Sequence, residues 1–124
     1  MWHDPCYLAR QNGIVRAPRE VLAAVGSAEF DPAECGANTL CCGAGGGQMW
    51  TDQKTQKKRF NVIRLESLQN TASQCGASKI ATGCPHCLTM LESAKPMVNG
   101  AQELQVLDIA EVVAAKLPDE ASPT

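Results

Sequence analysis

The chain has 124 residues, 44% of them apolar and 19% charged, with a formal charge of −2, which is enough length to bury a core of its own. A balance so near neutrality leaves no electrostatic footprint for nucleic acid, no stretch approaches the roughly 18 apolar residues of a membrane-spanning helix, and MWHDPCY at the start carries no export signal. A soluble, cytoplasmic domain over residues 1–117 is therefore expected, followed by a disordered tail over 118–124. Aromatics are only 4%, so packing has to rest on Val, Leu, Ile and Ala.

In chain order, Cys6 comes first, in a loop, within HDPCY. Residues 17–25 read as a helix, with Pro18 in the first turn and Val21, Leu22 and Val25 on one side. Residues 29–34 read as a short extended segment, weakened by Pro32. After CCGAGGG a long helix is expected over 48–71, burying Phe60, Ile63 and Leu68, with Val62 and Leu65 widening the stripe. SKIATGC, residues 78–84, reads as a buried strand, 88–95 as a helix and 104–107 as a last strand. Asp108 then caps a final helix with Glu111 three residues on, and Ile109, Val112, Val113 and Leu117 recur at helical spacing.

Such alternation points to an α/β fold: a small, mostly parallel sheet flanked by helices. Ligands of such sheets collect beyond the carboxyl ends of the strands, where Cys84 and Cys87 fall. Cys6 belongs there as well if a strand precedes it. Only five residues do, so the first strand is expected to be missing and the chain to be a C-terminal piece of a longer protein.

Seven cysteines without an export signal argue for metal or redox chemistry in a reducing compartment rather than for a disulfide framework. Cys41 and Cys42 are adjacent, with Cα atoms about 3.8 Å apart, short of the roughly 4.4–6.8 Å of an unstrained disulfide. Thirty-four residues separate Cys6 from Cys41, and forty-one separate Cys42 from Cys84. Each group precedes an expected helix, whose N-terminus favours thiolate over thiol. Glycines after Cys42 let the backbone approach a bulky inorganic centre and offer it N–H groups. Two adjacent sulfurs suit two different irons of one cluster, and four of the five also suit a closed tetrahedral zinc site.

HDPCYLAR, CCGAGGGQMW, KKRFN and CPHCLTML resemble the cysteine-rich, CCG-type domain of heterodisulfide reductase-related iron–sulfur oxidoreductases, over nearly the whole chain. AGGGQMW followed by KKRFN looks most like the group that passes electrons from electron-transfer flavoprotein to a membrane quinone. The resemblance implies a non-cubane 4Fe–4S cluster on Cys6, Cys41, Cys42, Cys84 and Cys87. It implies an electron-transfer role inside a larger redox complex at the cytoplasmic face of the membrane, with a flavoprotein or organic-acid donor and a quinone or disulfide acceptor. These 124 residues alone are not expected to be catalytic. CPHC carries a histidine where a bulky apolar residue is common in the family, and the gap before Cys84 is somewhat long for it.

Other readings are weaker. A structural zinc module remains the alternative to the cluster. CPHC before a helix is also the pattern of a thiol–disulfide oxidoreductase, but those folds place it early, and here fewer than forty residues follow. The glycines Gly43, Gly45, Gly46 and Gly47 do not make G-x-G-x-x-G, since Gln48 takes the final position. Cys35 and Cys75 read as packing residues, with Cys35 a substitute ligand at most. His3 and Asp4 read either as partners orienting the Cys6 loop or as a cap or surface turn. His86 reads as an exposed loop side chain. Lys54, Lys57, Lys58 and Arg59 read as a solvated face, or as a dock for an acidic redox partner.

Overall fold

Lys79–Thr82 (β1) and Gln105–Asp108 (β2) pair in parallel, Lys79 opposite Gln105 and Thr82 opposite Asp108. The computed structural model describes residues 1–27, 30–52 and 57–119. Residues 1–3 run parallel along the other edge of β1. Trp2 bridges to Ala81, the His3 N–H donates to the Ala81 carbonyl at 2.9 Å, and the Ala81 N–H donates to the Met1 carbonyl at 2.9 Å. The strand position ahead of Cys6, expected to be vacant, is thus taken by these three residues.

Parallel strands are buried on both faces, and the side chains sort accordingly. Met1, Ile80 and Val106 face one side. There they meet Val62, Leu65 and Leu68 of helix α2 (Phe60–Cys75) and Leu91 and Ala94 of helix α3 (Pro85–Ala94). Trp2 and Ala81 face the other side, against Leu22 of helix α1 (Arg16–Ala24), with Ile109 and Val112 of helix α4 (Ile109–Ala114) at the margin. The architecture is the expected α/β one, helices on both faces of a small parallel sheet. Among the described residues no helix is long and apolar enough to cross a membrane.

Several elements differ from expectation. Residues 30–34 form no strand; Phe30 only accepts the Trp2 N–H through its carbonyl, and Pro32 has no N–H to give a ladder. The long helix over 48–71 is broken. A 3₁₀ turn, Gly45–Trp50, is followed by extended Thr51, residues 53–56 lie outside the described set, and α2 begins only at Phe60 after extended Arg59. Between Gln48 and Arg59 only Met49 and Trp50 are apolar, so a helix there has no stripe to bury and no tertiary packing to hold it. The buried face of α2 is Val62, Leu65, Leu68 and Ala72, whereas Phe60 and Ile63 are more than a third exposed. Leu117 lies beyond the end of α4 and is 61% exposed. Of the tail, Pro118 and Asp119 carry no regular structure and 120–124 lie outside the described residues.

The capping box is present: Asp108 Oδ1 accepts from the Ala110 N–H, and Glu111 Oε2 accepts from the Asp108 N–H, both at 2.8 Å. Asp108→Ala is expected to cost about 1 kcal/mol in urea unfolding, a typical cap loss. An unchanged midpoint would show that packing of α4 alone carries that end.

Candidate metal centre

Cys84 is the N-cap of α3, held extended at φ −137° and ψ 125°, and Pro85 fills the first helical position, where no N–H is needed. Cys87 lies one turn on and is 3% exposed. It packs with Cys42, Ala44 and Met90, and Cys84 and Met49 close the edge of the same cluster. Cys42 interacts with its neighbour Cys41 and with Cys87 across the loop. The Gly43 N–H donates to Cys41 Sγ at 3.2 Å, and the Ala44 N–H lies beside Cys42. All seven cysteines are free thiols.

Gly43 explains part of the glycine run. Its φ is +86°, and a Cβ would stand 3.0 Å from Phe60 Cβ and 3.2 Å from the Asn61 nitrogen. Only glycine lets the cysteine loop sit this close to the start of α2. Gly46 and Gly47 need positive φ as well but face open space.

Cys6 comes from a separate loop. It heads the π-helical turn Tyr7–Gln11, half-buried, past the carboxyl end of residues 1–3. Thr39 ties that loop to the one before Cys41. Its Oγ1 donates to the Asp4 carbonyl at 2.8 Å, and its own carbonyl accepts from the Arg10 guanidinium. Among the described residues, however, no three His, Cys, Asp or Glu side chains stand around a common point as ligands of one metal ion.

Electrostatics explain what such a site needs. The Cys41 thiol is pushed well up by its hydrogen bond to Cys42 and by burial, the Gly43 N–H opposing. Cys42 is pulled down by Cys41, but the contact with Cys87 and burial outweigh this and push it up to about 11. These sulfurs therefore hold their protons at neutral pH and release them only to a cation that takes their place. Clustered thiols at a helix N-terminus with N–H groups on two of them are a donor set that fits an iron–sulfur cluster, and also a zinc–thiolate site.

A buried ionic frame underlies the Cys6 loop. Asp4, fully buried, accepts from Arg19 Nη1 and Nη2 at 2.9 and 2.7 Å, from the Gly36 N–H at 2.7 Å and from Trp2 Nε1 at 2.8 Å. Burial alone would raise its pKa, but these donors together hold it below the usual carboxylate range. On α2, the fully buried Arg64 donates to His3 Nδ1 at 2.9 Å and to the Glu34 carbonyl at 3.1 Å. Burial, with Arg64 adding to it, lowers His3 to about 3.

That value has a consequence for acid stability. Below pH about 6.5 the unfolded chain binds a proton at His3 that the native chain refuses. Stability is full above that pH and should fall by about 1.4 kcal/mol per unit as pH drops toward about 3, His3's folded value. Urea unfolding at pH 7, 6 and 5 reads the slope, and His3→Gln should flatten it.

Residue by residue, Cys42, Cys84 and Cys87 share one packed cluster, Cys41 joins it through its neighbour Cys42, and Cys6 comes from a separate loop. His3 and Asp4 are core residues, not a surface turn. Cys35 heads the short turn Gly36–Asn38, half-buried. Cys75 ends α2 near the Met1 amine, at the opposite, amino end of the strands. His86 is exposed on the first turn of α3. Lys57 and Lys58 are exposed beside Phe60 and Ile63, with Lys58 Nζ bonded to Glu66 at 2.7 and 3.0 Å; Lys54 lies outside the described residues. Arg64, Arg19 and Thr39 lie outside the sequence motifs. Arg64 had a signal, a lone charge inside the apolar stripe of Val62, Leu65 and Leu68.

Comparison with known proteins gives the family. A family model described as a cysteine-rich domain, CCG, matches residues 1–92. The chain is 41% identical over 94% of its length to a probable membrane-anchored ferredoxin of Chromohalobacter salexigens. It is 38% identical over 91% to a probable iron–sulfur-binding oxidoreductase, FadF, of Bacillus subtilis, and 35% identical over 90% to an EtfAB:quinone oxidoreductase of Syntrophomonas wolfei. In each case it spans 16% of the relative's length. No solved structure matches it significantly.

Proposed function

Because this chain belongs to the CCG cysteine-rich domain family of heterodisulfide reductase- and EtfAB:quinone oxidoreductase-like proteins, we propose that residues 1–117 are an iron–sulfur cluster-binding, electron-transfer domain of such an oxidoreductase, with Cys6, Cys41, Cys42, Cys84 and Cys87 as ligands. The observation that supports this reading is the packing of Cys42, Cys84 and Cys87 from two distant loops at the carboxyl rim of the sheet, with Cys41 next to Cys42 and the Gly43 N–H bonded to its sulfur. A bound cluster supplies one-electron storage. The chain's own residues hold it, shield it on the Met90 side, and set its potential through burial and N–H···S contacts. The five-sulfur set with an adjacent pair favours the non-cubane four-iron form over zinc, which leaves one sulfur without a role. The domain works in the cytoplasm at the membrane face, within a complex whose donor is a flavoprotein and whose acceptor is a quinone. That choice rests on similarity to the membrane-anchored ferredoxin and the EtfAB:quinone oxidoreductase.

The test is a stopped-flow experiment in which a reduced electron-transfer flavoprotein meets the cluster-loaded chain. The cluster should be reduced, and the pair Lys57→Glu, Lys58→Glu should slow that step by roughly tenfold at low ionic strength and much less at high salt, because steering by surface charge is screened. A cluster that accepts no electron from any flavoprotein, yet is reduced by dithionite, would contradict the proposed donor.

A further inference from the structure

Two buried polar atoms on neighbouring strands have no hydrogen-bond partner, His3 Nε2 and Thr82 Oγ1. Both residues are fully buried, where a donor left unpaired costs stability. Parallel register sets them side by side. Trp2 pairs with Ala81, so the next residues, His3 and Thr82, are neighbours whose side chains share one face. It is the face of Met1 and Ile80, covered by α2 and α3, and the pair stands two residues nearer the carboxyl ends of the strands. Beyond those ends Cys84 follows Thr82 by two residues and Cys87 lies in the first turn of α3.

Arg64 holds the His3 side of the pair. Its Nε donates to His3 Nδ1, and it lies within electrostatic range of Cys87. Since Nδ1 accepts that bond, the ring proton of neutral His3 is on Nε2, the edge turned away from Arg64. Burial keeps the ring neutral at pH 7, its value lying near 3.

We infer that His3 and Thr82 form the floor of the cysteine site and donate Nε2–H and Oγ1–H bonds to sulfur held there. They are positioning residues that tune the centre rather than bind its metal. This rests on the reading of the site as a metal–thiolate centre. Donors to sulfur stabilise the more negative, reduced state, so removing one lowers the midpoint potential.

Two measurements on the full chain test it. In the first, long-range ¹H–¹⁵N spectra of the His3 ring are recorded with and without Zn²⁺. The expected result is an Nε2 proton retained throughout whose signals move when zinc binds; a ring unmoved while zinc is shown bound by metal analysis overturns the inference. In the second, midpoint potentials are measured on iron–sulfur-loaded chains alongside iron and sulfide content. Thr82→Val, which keeps shape and loses only the hydroxyl, should titrate lower than the parent at equal iron and sulfide. His3→Leu should do the same, and His3→Gln, whose amide both accepts from Arg64 and donates N–H, should recover much of the difference. A Thr82→Val midpoint equal to the parent's overturns the inference even if His3→Leu does not fold. Zinc binding without iron or sulfide, with the ring signals moving, retains the His3 assignment and removes the cluster.

Discussion

Cys42→Ser is expected to empty the centre. Cys42 is 5% exposed and interacts with Cys41 on one side and Cys87 on the other. A serine oxygen is a hard, protonated ligand in place of a soft thiolate, and iron–sulfur chemistry selects against it. Iron and sulfide recovered after anaerobic loading should fall by at least about tenfold, the scale on which loss of even outer-sphere partners acts on metal sites. Cys41→Ser should behave alike. Cys75→Ser should load as the parent does, because Cys75 stands near Met1 at the other end of the strands. Equal iron in all three variants would sink the ligand assignment.

Asp4→Ala should be the most damaging change outside the cysteines. Truncation leaves the Arg19 guanidinium, the Gly36 N–H and Trp2 Nε1 facing a site from which the carboxylate has gone, and Arg19 is only 16% exposed. Breaking a buried pair from one side costs about 3–5 kcal/mol, a large share of the roughly 5–15 kcal/mol that holds a domain of this size together. Urea unfolding reads the loss. The Arg19→Met change shares the same contacts, so the double variant should cost far less than the two singles added. Additive losses, or an Asp4→Ala cost under about 1 kcal/mol, would show that Arg19 is satisfied by Asp31 and the Val15 carbonyl alone.

Much of this was legible in the sequence because local rules and tertiary context agree. The punctuation around Ala17 and Asp108 located α1 and α4, and Asp108 with Glu111 made the capping box that spacing foretold. CPHC after a buried strand put Cys84 and Cys87 at the carboxyl end of that strand, ahead of a helix. The helix starts at Pro85 rather than at the expected 88, so Cys84 is its N-cap and Cys87 lies in its first turn. What failed was propensity without an apolar face. Helix-tolerant residues run from Gln48 to Arg59, but Met49 and Trp50 are the only apolar residues among them and make no helical stripe, so α2 begins only at Phe60. The same shift turned Phe60 and Ile63 outward, since the stripe is set by Val62, Leu65 and Leu68. The ionic frame was invisible for a different reason. Asp4, Arg19, Gly36 and Thr39 are scattered over 36 positions, and only the pairing of residues 1–3 with β1 brings Asp4 inside. His3 reads from sequence either as a partner of the Cys6 loop or as part of a cap or surface turn, and its buried partner, Arg64, is a charge inside an apolar stripe.

The most direct measurement is anaerobic reconstitution of the full chain with iron and sulfide, followed by iron, sulfide and zinc analysis and EPR on one sample. A cluster held by five thiolates predicts iron and sulfide near four per chain, visible colour, and an EPR signal that appears on oxidation or reduction. Near-stoichiometric zinc in a colourless, EPR-silent protein would contradict it and make the five cysteines a structural zinc module.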